Sequence, residues 1–148
     1  MHIDPHRPII GIDGGRSKTT AMARGADGVT HYSKGPGLEM IGHPEGRERV
    51  AAALREVLHP FTPLGHFRSV CIGLNGLQVP SVRQGTIVEL LLDIVDVRRI
   101  IVTSDVVTSY CGTLGTNPGV VVAAGTGAIS MAISKPTRRT SATDTATS

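Results

Sequence analysis

Short apolar segments separated by glycine, proline and polar turns run through most of this chain, and most of them lack helical spacing. Such segments predict strands, because a buried or half-buried strand needs only a brief continuous or alternating apolar run. The first of them, residues 9–12, runs into Asp13 and a pair of glycines. The predicted strands are 9–13, 19–23, 28–33, 69–74, 99–103, 119–124 and 128–134.

Helical spacing appears in longer segments between these strands. Between residues 44 and 59, apolar side chains recur at helical spacing among charged residues, which predicts one amphipathic helix that ends at Pro60. Residues 81–95 predict a second helix with a densely apolar end. Ser104 is expected to cap a short third helix that carries Asp105 in its first turn.

The order of these elements indicates the fold class. Three strands joined by tight turns precede an alternation of helices and strands, and this order predicts an α/β domain in which helices cover both faces of a mixed sheet. We expect residues 9–134 to form that domain. Residues 1–8 are expected to be a flexible N-terminus, and the Ser/Thr-rich residues 135–148 a disordered tail.

The turn after the first strand has the composition of a phosphate-binding loop. Glycine tolerates positive φ, which suits a tight turn, and consecutive N–H groups in such a turn form a concave nest for phosphate oxygens. A carboxylate at the end of the strand is placed to hold Mg²⁺, directly or through water. These criteria select Asp13 for the metal and Gly14, Gly15, Ser17, Lys18 and Thr19 for phosphate. An ordinary hairpin with polar turn residues explains the same pattern.

Further polar groups follow other predicted strands. A second glycine-rich turn, Gly125-Thr126-Gly127, joins the last two strands and repeats the design of the first. Asn75 and Gly76 follow the fourth strand, where an ordinary turn is an equally good explanation. Asp105 follows the fifth strand, where a carboxylate is also favoured simply by the dipole of the helix that begins there.

Four segments, in order, resemble one protein family. The glycine pair, hydroxyl residue and Lys-Thr in IIGIDGGRSKTTAMA resemble the first phosphate loop of the actin-like ATPase and sugar kinase superfamily. The likeness is greatest to its N-acetylglucosamine kinase branch, the BadF/BadG/BcrA/BcrD-type ATPases. GPGLEMIG stands where these kinases carry a sugar-contacting loop, and IVTSDVVTSYCGTLG resembles their strand-to-helix segment with the catalytic aspartate. GVVVAAGTGAIS is similar to their second phosphate loop. The resemblance covers residues 9–133 and implies a ribonuclease H-like fold.

The resemblance implies ATP-dependent phosphorylation of a sugar or amino sugar, with ATP and Mg²⁺ as cofactors. It implies that both glycine turns hold the polyphosphate and that Asp105 accepts the proton of the attacking hydroxyl. Glu39, Asn75, Gly76 and Asp105 become candidate sugar contacts, although a solvated loop carboxylate is the simpler explanation of Glu39.

The sequence also departs from the family. Its members resemble two similar domains that close over the nucleotide, whereas here the resemblance ends just after the second glycine turn. We therefore expect an N-terminal ATPase domain with the second domain absent. GPGLEMIG lacks the asparagine often found in N-acetylglucosamine kinases, which leaves the sugar open. The alternative function is a non-catalytic phosphate- or nucleotide-binding remnant, or a BadF-type ATPase subunit.

Composition argues against several other classes of protein. The net charge is only +3, tryptophan is absent and 3% of residues are aromatic, so the usual features of nucleic-acid-binding proteins are missing. No apolar run approaches the roughly 20 residues of a membrane span, and no secretory signal is visible. Cys71 and Cys111 are expected to be buried free thiols of a cytoplasmic protein. The expected partners are a sugar and ATP, and the surface left by a missing domain allows a homodimer.

Overall fold

The computed structural model describes residues 6–38, 45–75, 81–124 and 128–135, which form a five-stranded sheet, a two-stranded sheet and three α-helices. In chain order the elements are β1 (Ile9–Gly14), β2 (Lys18–Arg24), β3 (Thr30–Pro36), α1 (Gly46–Leu58), β4 (Ser69–Leu74), α2 (Ser81–Ile94), β5 (Ile100–Ser104), α3 (Asp105–Leu114), β6 (Gly119–Ala124) and β7 (Ala128–Ile133). The larger sheet has the order β3-β2-β1-β4-β5. It is mixed, because β1 is antiparallel to β2 but parallel to β4, and β4 is parallel to β5.

The third strand extends further than the sequence predicts. The predicted strand covers residues 28–33, but β3 continues through Pro36, which pairs with Lys18. β3 is an edge strand, and proline is tolerated there because one side of the strand needs no donor for a ladder hydrogen bond.

The two faces of the sheet carry different helices. The main core lies on one face, where Ile10, Ile12 and Ile72 are buried together with apolar side chains of α1 and α2. Residues of opposite parity point to the other face. There Gly73 of β4 lies against Thr108 of α3, so α3 covers that face. Helices therefore cover both faces, as the sequence predicts.

The first helix is held by the apolar positions that predict it. Val50, Leu54 and Val57 are almost completely buried, and each such burial stabilises the fold by about 1.5–3 kcal/mol. A 3₁₀ segment, His59–Leu64, follows directly and buries Phe61 against the same core. In the described part of the chain, no helix has the length and apolar character needed to cross a membrane.

β6 and β7 form a separate hairpin instead of joining the main sheet. The third helix connects the two parts, because α3 contacts β4 and β5 as well as β6 and β7. Tyr110 is the main anchor: it is completely buried, and its hydroxyl donates to the carbonyl oxygen of Asn117 at 2.6 Å. Leu114 lies against Gly119, where a Cβ would approach its Cδ1 to 2.6 Å.

Two side-chain expectations are corrected by the structure. Ser104 stands at the N-cap of α3, but its side chain makes no capping hydrogen bond. Both cysteines are free, as expected, but Cys71 is only half-buried and Cys111 is exposed. Each occupies a predicted core element, but Tyr110 and not Cys111 is the buried residue of α3.

We expect Tyr110→Phe to lower the free energy of unfolding by about 0.5–1.5 kcal/mol, since it removes one hydrogen bond and leaves the ring in place. Tyr32→Phe is the matched control, because the Tyr32 side chain is 71% exposed and its loss should change little. Urea denaturation of both variants measures the difference. Equal effects of the two substitutions would contradict the anchoring role of Tyr110.

Candidate functional site

The parallel strands bring three polar residues to one edge of the sheet. Asp13 of β1 pairs with Gly73 of β4, and Leu74 pairs with Ser104 of β5. Asn75 and Asp105 follow these strands directly, so both lie at the edge where Asp13 stands. Open sheets that contain parallel strands bind ligands at the carboxyl ends of those strands. This edge is the candidate site.

The turn between β1 and β2 is tighter than the glycine pair suggests. The Gly15 N–H donates to the Lys18 carbonyl oxygen at 3.0 Å, so Arg16 and Ser17 form the exposed tip. The sequence suggests that these glycines allow a tight turn with positive φ, but neither Gly14 nor Gly15 has positive φ. A Cβ at either position would instead crowd neighbouring atoms.

Space is limited on both sides of these glycines. A Cβ on Gly14 would lie 2.7 Å from Leu74 Cδ2 and 2.9 Å from Leu38 Cδ1. A Cβ on Gly15 would lie 2.7 Å from the Lys18 carbonyl oxygen. Distances below 3 Å cannot be accommodated without a shift, and at Gly15 the obstacle is backbone. A side chain there would therefore distort the turn itself.

The segment after β3 supports this turn from outside. Leu38 donates its N–H to the Gly15 carbonyl oxygen at 2.9 Å, and its side chain is buried. Gly37 packs so closely on the Arg16 carbonyl that no Cβ fits between them. The tip is thereby fixed from two directions. Glu39, the predicted sugar contact that comes next, lies outside the described residues.

The predicted phosphate ligands of the first turn point in different directions. Ser17 and Lys18 are exposed, as a phosphate site requires. Thr19 is 0% exposed, and its hydroxyl has no hydrogen-bond partner among the described residues. It shares the core face with Ala21, so a role in donating to phosphate does not fit its position. Alternation along β2 explains the difference, since neighbouring residues face opposite sides.

Asp13 lies on the same face of the sheet as α3, and its side chain is exposed. The sequence does not predict its neighbours on this face. Thr20 of β2 pairs with Asp13 on one side. On the other side Asp13 pairs with Gly73 of β4, which in turn pairs with Thr103 of β5. The strand register places these two threonines and Asp13 in one row across the sheet. Register is not readable from the sequence, and alternation within β2 is the only signal that could have indicated Thr20.

Asp105 and Asn75 are held by backbone contacts. The Asn75 N–H donates to the Gly14 carbonyl oxygen at 3.3 Å, which ties the end of β4 to β1. Asp105 begins α3 and is half-buried; its carbonyl oxygen accepts a hydrogen bond from the Thr108 hydroxyl at 2.9 Å. Gly76 lies outside the described residues.

The second glycine turn is described only by the strands that flank it. Ala124 of β6 pairs with Ala128 of β7, so residues 125–127 join paired strand ends. Gly125, Thr126 and Gly127 themselves lie outside the described residues. Within the described ranges, no group of three or more His, Cys, Asp or Glu side chains is arranged to hold a metal ion.

Solved structures show the fold to which this arrangement belongs. A protein from Chromobacterium violaceum, described as a candidate N-acetylglucosamine kinase, is similar over 85% of this chain at 23% identity, with a TM-score of 0.59. A non-polymerising variant of MamK bound to AMPPNP is similar over 78% of the chain at 14% identity, with a TM-score of 0.58. EutJ, an ethanolamine utilization protein from Carboxydothermus hydrogenoformans, is similar over 82% at 13% identity, with a TM-score of 0.53.

These neighbours share the actin-like ATPase fold, and the described chain has the same ribonuclease H-like α/β architecture. The chain spans only 45% to 46% of the length of each of them. No protein-family profile matches the sequence, and no curated protein matches it either. The comparisons therefore show the fold.

We expect Thr19→Val to raise the free energy of unfolding by about 1 kcal/mol, because it replaces a buried hydroxyl that has no partner with a methyl group of similar shape. Thr20→Val, one residue along on the opposite face, is the control and should change stability less. Thermal and urea unfolding measure both. A clear loss of stability in Thr19→Val would show that the hydroxyl does have a partner.

Proposed function

We propose that this chain is the N-terminal, nucleotide-binding domain of an ATP-dependent sugar kinase similar to N-acetylglucosamine kinases and the BadF/BadG/BcrA/BcrD-type ATPases. The observation that carries the proposal is the shared sheet edge, where the β1–β2 turn, Asp13 and Asp105 all lie at the ends of parallel or adjacent strands. A likeness to a candidate N-acetylglucosamine kinase over 85% of the chain supports it.

The phosphates are held by the tip of the β1–β2 turn. The Gly15 N–H is already bonded to the Lys18 carbonyl oxygen, so it does not contribute. The available donors are the exposed Ser17 hydroxyl and Lys18 ammonium, together with the backbone at Arg16 and Ser17. A turn fixed by Gly37 and Leu38 offers these donors with little reorganisation, which is how phosphoryl transfer is mostly stabilised.

The β6–β7 hairpin packs on the helix that begins with Asp105. β6 starts beside Tyr110 and Leu114, at the C-terminal end of α3, and packs against that helix. Gly125, Thr126 and Gly127, which lie outside the described residues, are the second set of phosphate contacts in this proposal.

Mg²⁺ fits the Asp13 carboxylate. A hard cation favours carboxylate, water and phosphate oxygens, and Mg²⁺ usually takes only one or two carboxylates from a protein. The exposed Asp13 at the end of β1 provides one carboxylate, and a bound Mg²⁺ would neutralise charge on the phosphates of ATP. Thr20 and Thr103, in the same row, are placed to bind water beside it.

Asp105 acts as the general base in this proposal. Its position after β5 puts the carboxylate at the shared edge, half-buried at the start of α3. It takes the proton of the sugar hydroxyl that attacks the terminal phosphate, while the sugar is bound by Asn75, Gly76 and Glu39. Such proton transfer contributes about 10²–10⁴-fold to the rate.

Exposed apolar side chains of the β6–β7 hairpin indicate that further polypeptide completes the cleft. On one face of the hairpin Val120 and Val122 are 66% and 65% exposed, and on the other face Ile129 and Ile133 are also exposed. An isolated two-stranded hairpin is marginally stable, and exposed apolar side chains of this size favour burial. We propose that a second ATPase domain covers them in a cytoplasmic enzyme. A second copy of the chain is the alternative cover.

The similarity to MamK and EutJ favours a different function. MamK and EutJ share the fold at TM-scores of 0.58 and 0.53 and are not described as sugar kinases. A nucleotide-binding domain without sugar phosphorylation, including an ATPase subunit, is therefore the second candidate. It predicts nucleotide binding without any effect of added sugar.

We expect Lys18→Met to weaken Mg·ATP binding at least about tenfold, because it removes a charge-assisted hydrogen bond to phosphate. Arg24→Met is the control, since Arg24 is an exposed cation at the end of β2 opposite the turn. Calorimetric titration of both variants measures the affinities. Unchanged Mg·ATP binding by Lys18→Met would contradict a role of this turn in phosphate binding.

We expect Asp105→Asn to lower kcat for sugar phosphorylation by at least about 10²-fold and to leave nucleotide affinity nearly intact. The assay uses this chain together with the domain that completes the cleft, with N-acetylglucosamine and Mg·ATP. Asp93→Asn, an exposed carboxylate of α2, is the control. An active Asp105→Asn enzyme removes the assignment, whereas nucleotide binding without turnover in the unaltered protein favours the second candidate.

A further inference from the structure

α3 packs directly on β4 at Gly73. Gly73 has no side chain, and a Cβ built there would collide with the hydroxyl and methyl groups of Thr108. Thr108 is also tied to its own helix, because its hydroxyl donates to the Asp105 carbonyl oxygen at 2.9 Å. At this point the backbone of β4 therefore contacts the Thr108 side chain of α3 directly.

The same contact brings two cysteines to one side of the sheet. Cys71 precedes Gly73 by two residues, so both face the α3 side of β4. Cys111 follows Thr108 by three residues, which places it on the same side of α3, one turn further along.

The direction of the helix decides whether these two residues approach each other. β5 leads directly into α3, and α3 then packs back on β4 and β5. Since β4 and β5 are parallel, α3 runs opposite to β4. The step from Thr108 to Cys111 covers about 4.5 Å along the helix. It therefore runs in the same direction as the step from Gly73 back to Cys71, which covers about 6.6 Å along the strand. Cys111 comes to lie over Cys71.

The environment of the two thiols agrees with this placement. Burial, and then the charge of a thiolate at Cys111, raise the pKa of the Cys71 thiol above its ordinary value. A charge on Cys111 affects Cys71 in this way only if the two groups are near each other. Cys111 itself is exposed, and Cys71 is half-buried beneath α3.

We propose that Cys71 and Cys111 are a redox-modification site, at which a small-molecule disulfide such as glutathione disulfide converts the two thiols to an intramolecular disulfide. The exposed Cys111 thiolate first attacks one sulfur of the small disulfide, which releases one thiol and leaves a mixed disulfide on Cys111. The Cys71 thiolate then attacks the Cys111 sulfur and releases the second thiol. Two protein thiols are oxidised, and one small disulfide is reduced to two thiols.

The product joins α3 covalently to the central part of the sheet. α3 begins with Asp105 and anchors the β6–β7 hairpin through Tyr110, so the bond restrains the element that connects the two sheets. The inference depends on the contact between α3 and β4 and not on the proposed kinase activity.

Oxidation of the unaltered chain tests the proposal directly. The reduced protein is incubated with excess glutathione disulfide and then analysed by intact mass and by peptide mapping without reduction. We expect a loss of two hydrogen atoms, a peptide pair linked through Cys71 and Cys111, and a rise in Tm of about 5–15 °C that dithiothreitol reverses. Conversion of the mixed disulfide should accelerate as the pH rises, because the raised pKa of Cys71 limits its thiolate at neutral pH.

Single-cysteine variants are the controls. Cys71→Ser should stop at a stable glutathione adduct on Cys111, and Cys111→Ser should react slowly at the half-buried Cys71. Neither should show the rise in Tm. A persistent mixed disulfide on the unaltered chain, or disulfide-linked dimers in place of the internal bond, would overturn the proposal.

Discussion

The parallel ladder that joins β1 to β4 and β4 to β5 is the interaction on which the rest of this structure depends. It places the carboxyl ends of three strands at one edge, so residues far apart in sequence, such as Asp13 and Asp105, share a surface. Parallel strands need crossover connections, and here α1 and α2 provide them while burying the main core. Core and candidate site thus follow from the same pairing.

The third helix makes a second connection that the ladder alone does not provide. One side of α3 meets the sheet at Gly73, and the buried ring and hydroxyl of Tyr110 hold the start of β6. The hairpin makes no ladder with the main sheet within the described residues, so its orientation is set through this helix. A single short helix therefore relates the β6–β7 hairpin to the main sheet.

The sequence predicts the elements well, because alternation and helical spacing are local properties. All seven strands and three helices occur where the apolar pattern indicates them, and the mixed α/β fold is confirmed. What it does not predict depends on contacts between distant residues. The close approach of Leu38 and Leu74 to Gly14 and the unpartnered burial of the Thr19 hydroxyl among the described residues are of this kind. The separation of β6 and β7 from the main sheet likewise depends on how α3 packs. The ligand roles of the site residues stay predictions.

The hydrogen bond between the Leu38 N–H and the Gly15 carbonyl oxygen links two parts of the candidate site that are separate in sequence. Leu38 is the last residue before the segment proposed to contact the sugar, and Gly15 closes the turn proposed to hold phosphate. A ligand that binds on one side and strengthens this hydrogen bond lowers the free-energy cost of binding on the other side. Because such coupling is reciprocal, each ligand would change the affinity for the other by the same factor. In the proposed kinase, this one backbone contact would couple the binding of the two substrates.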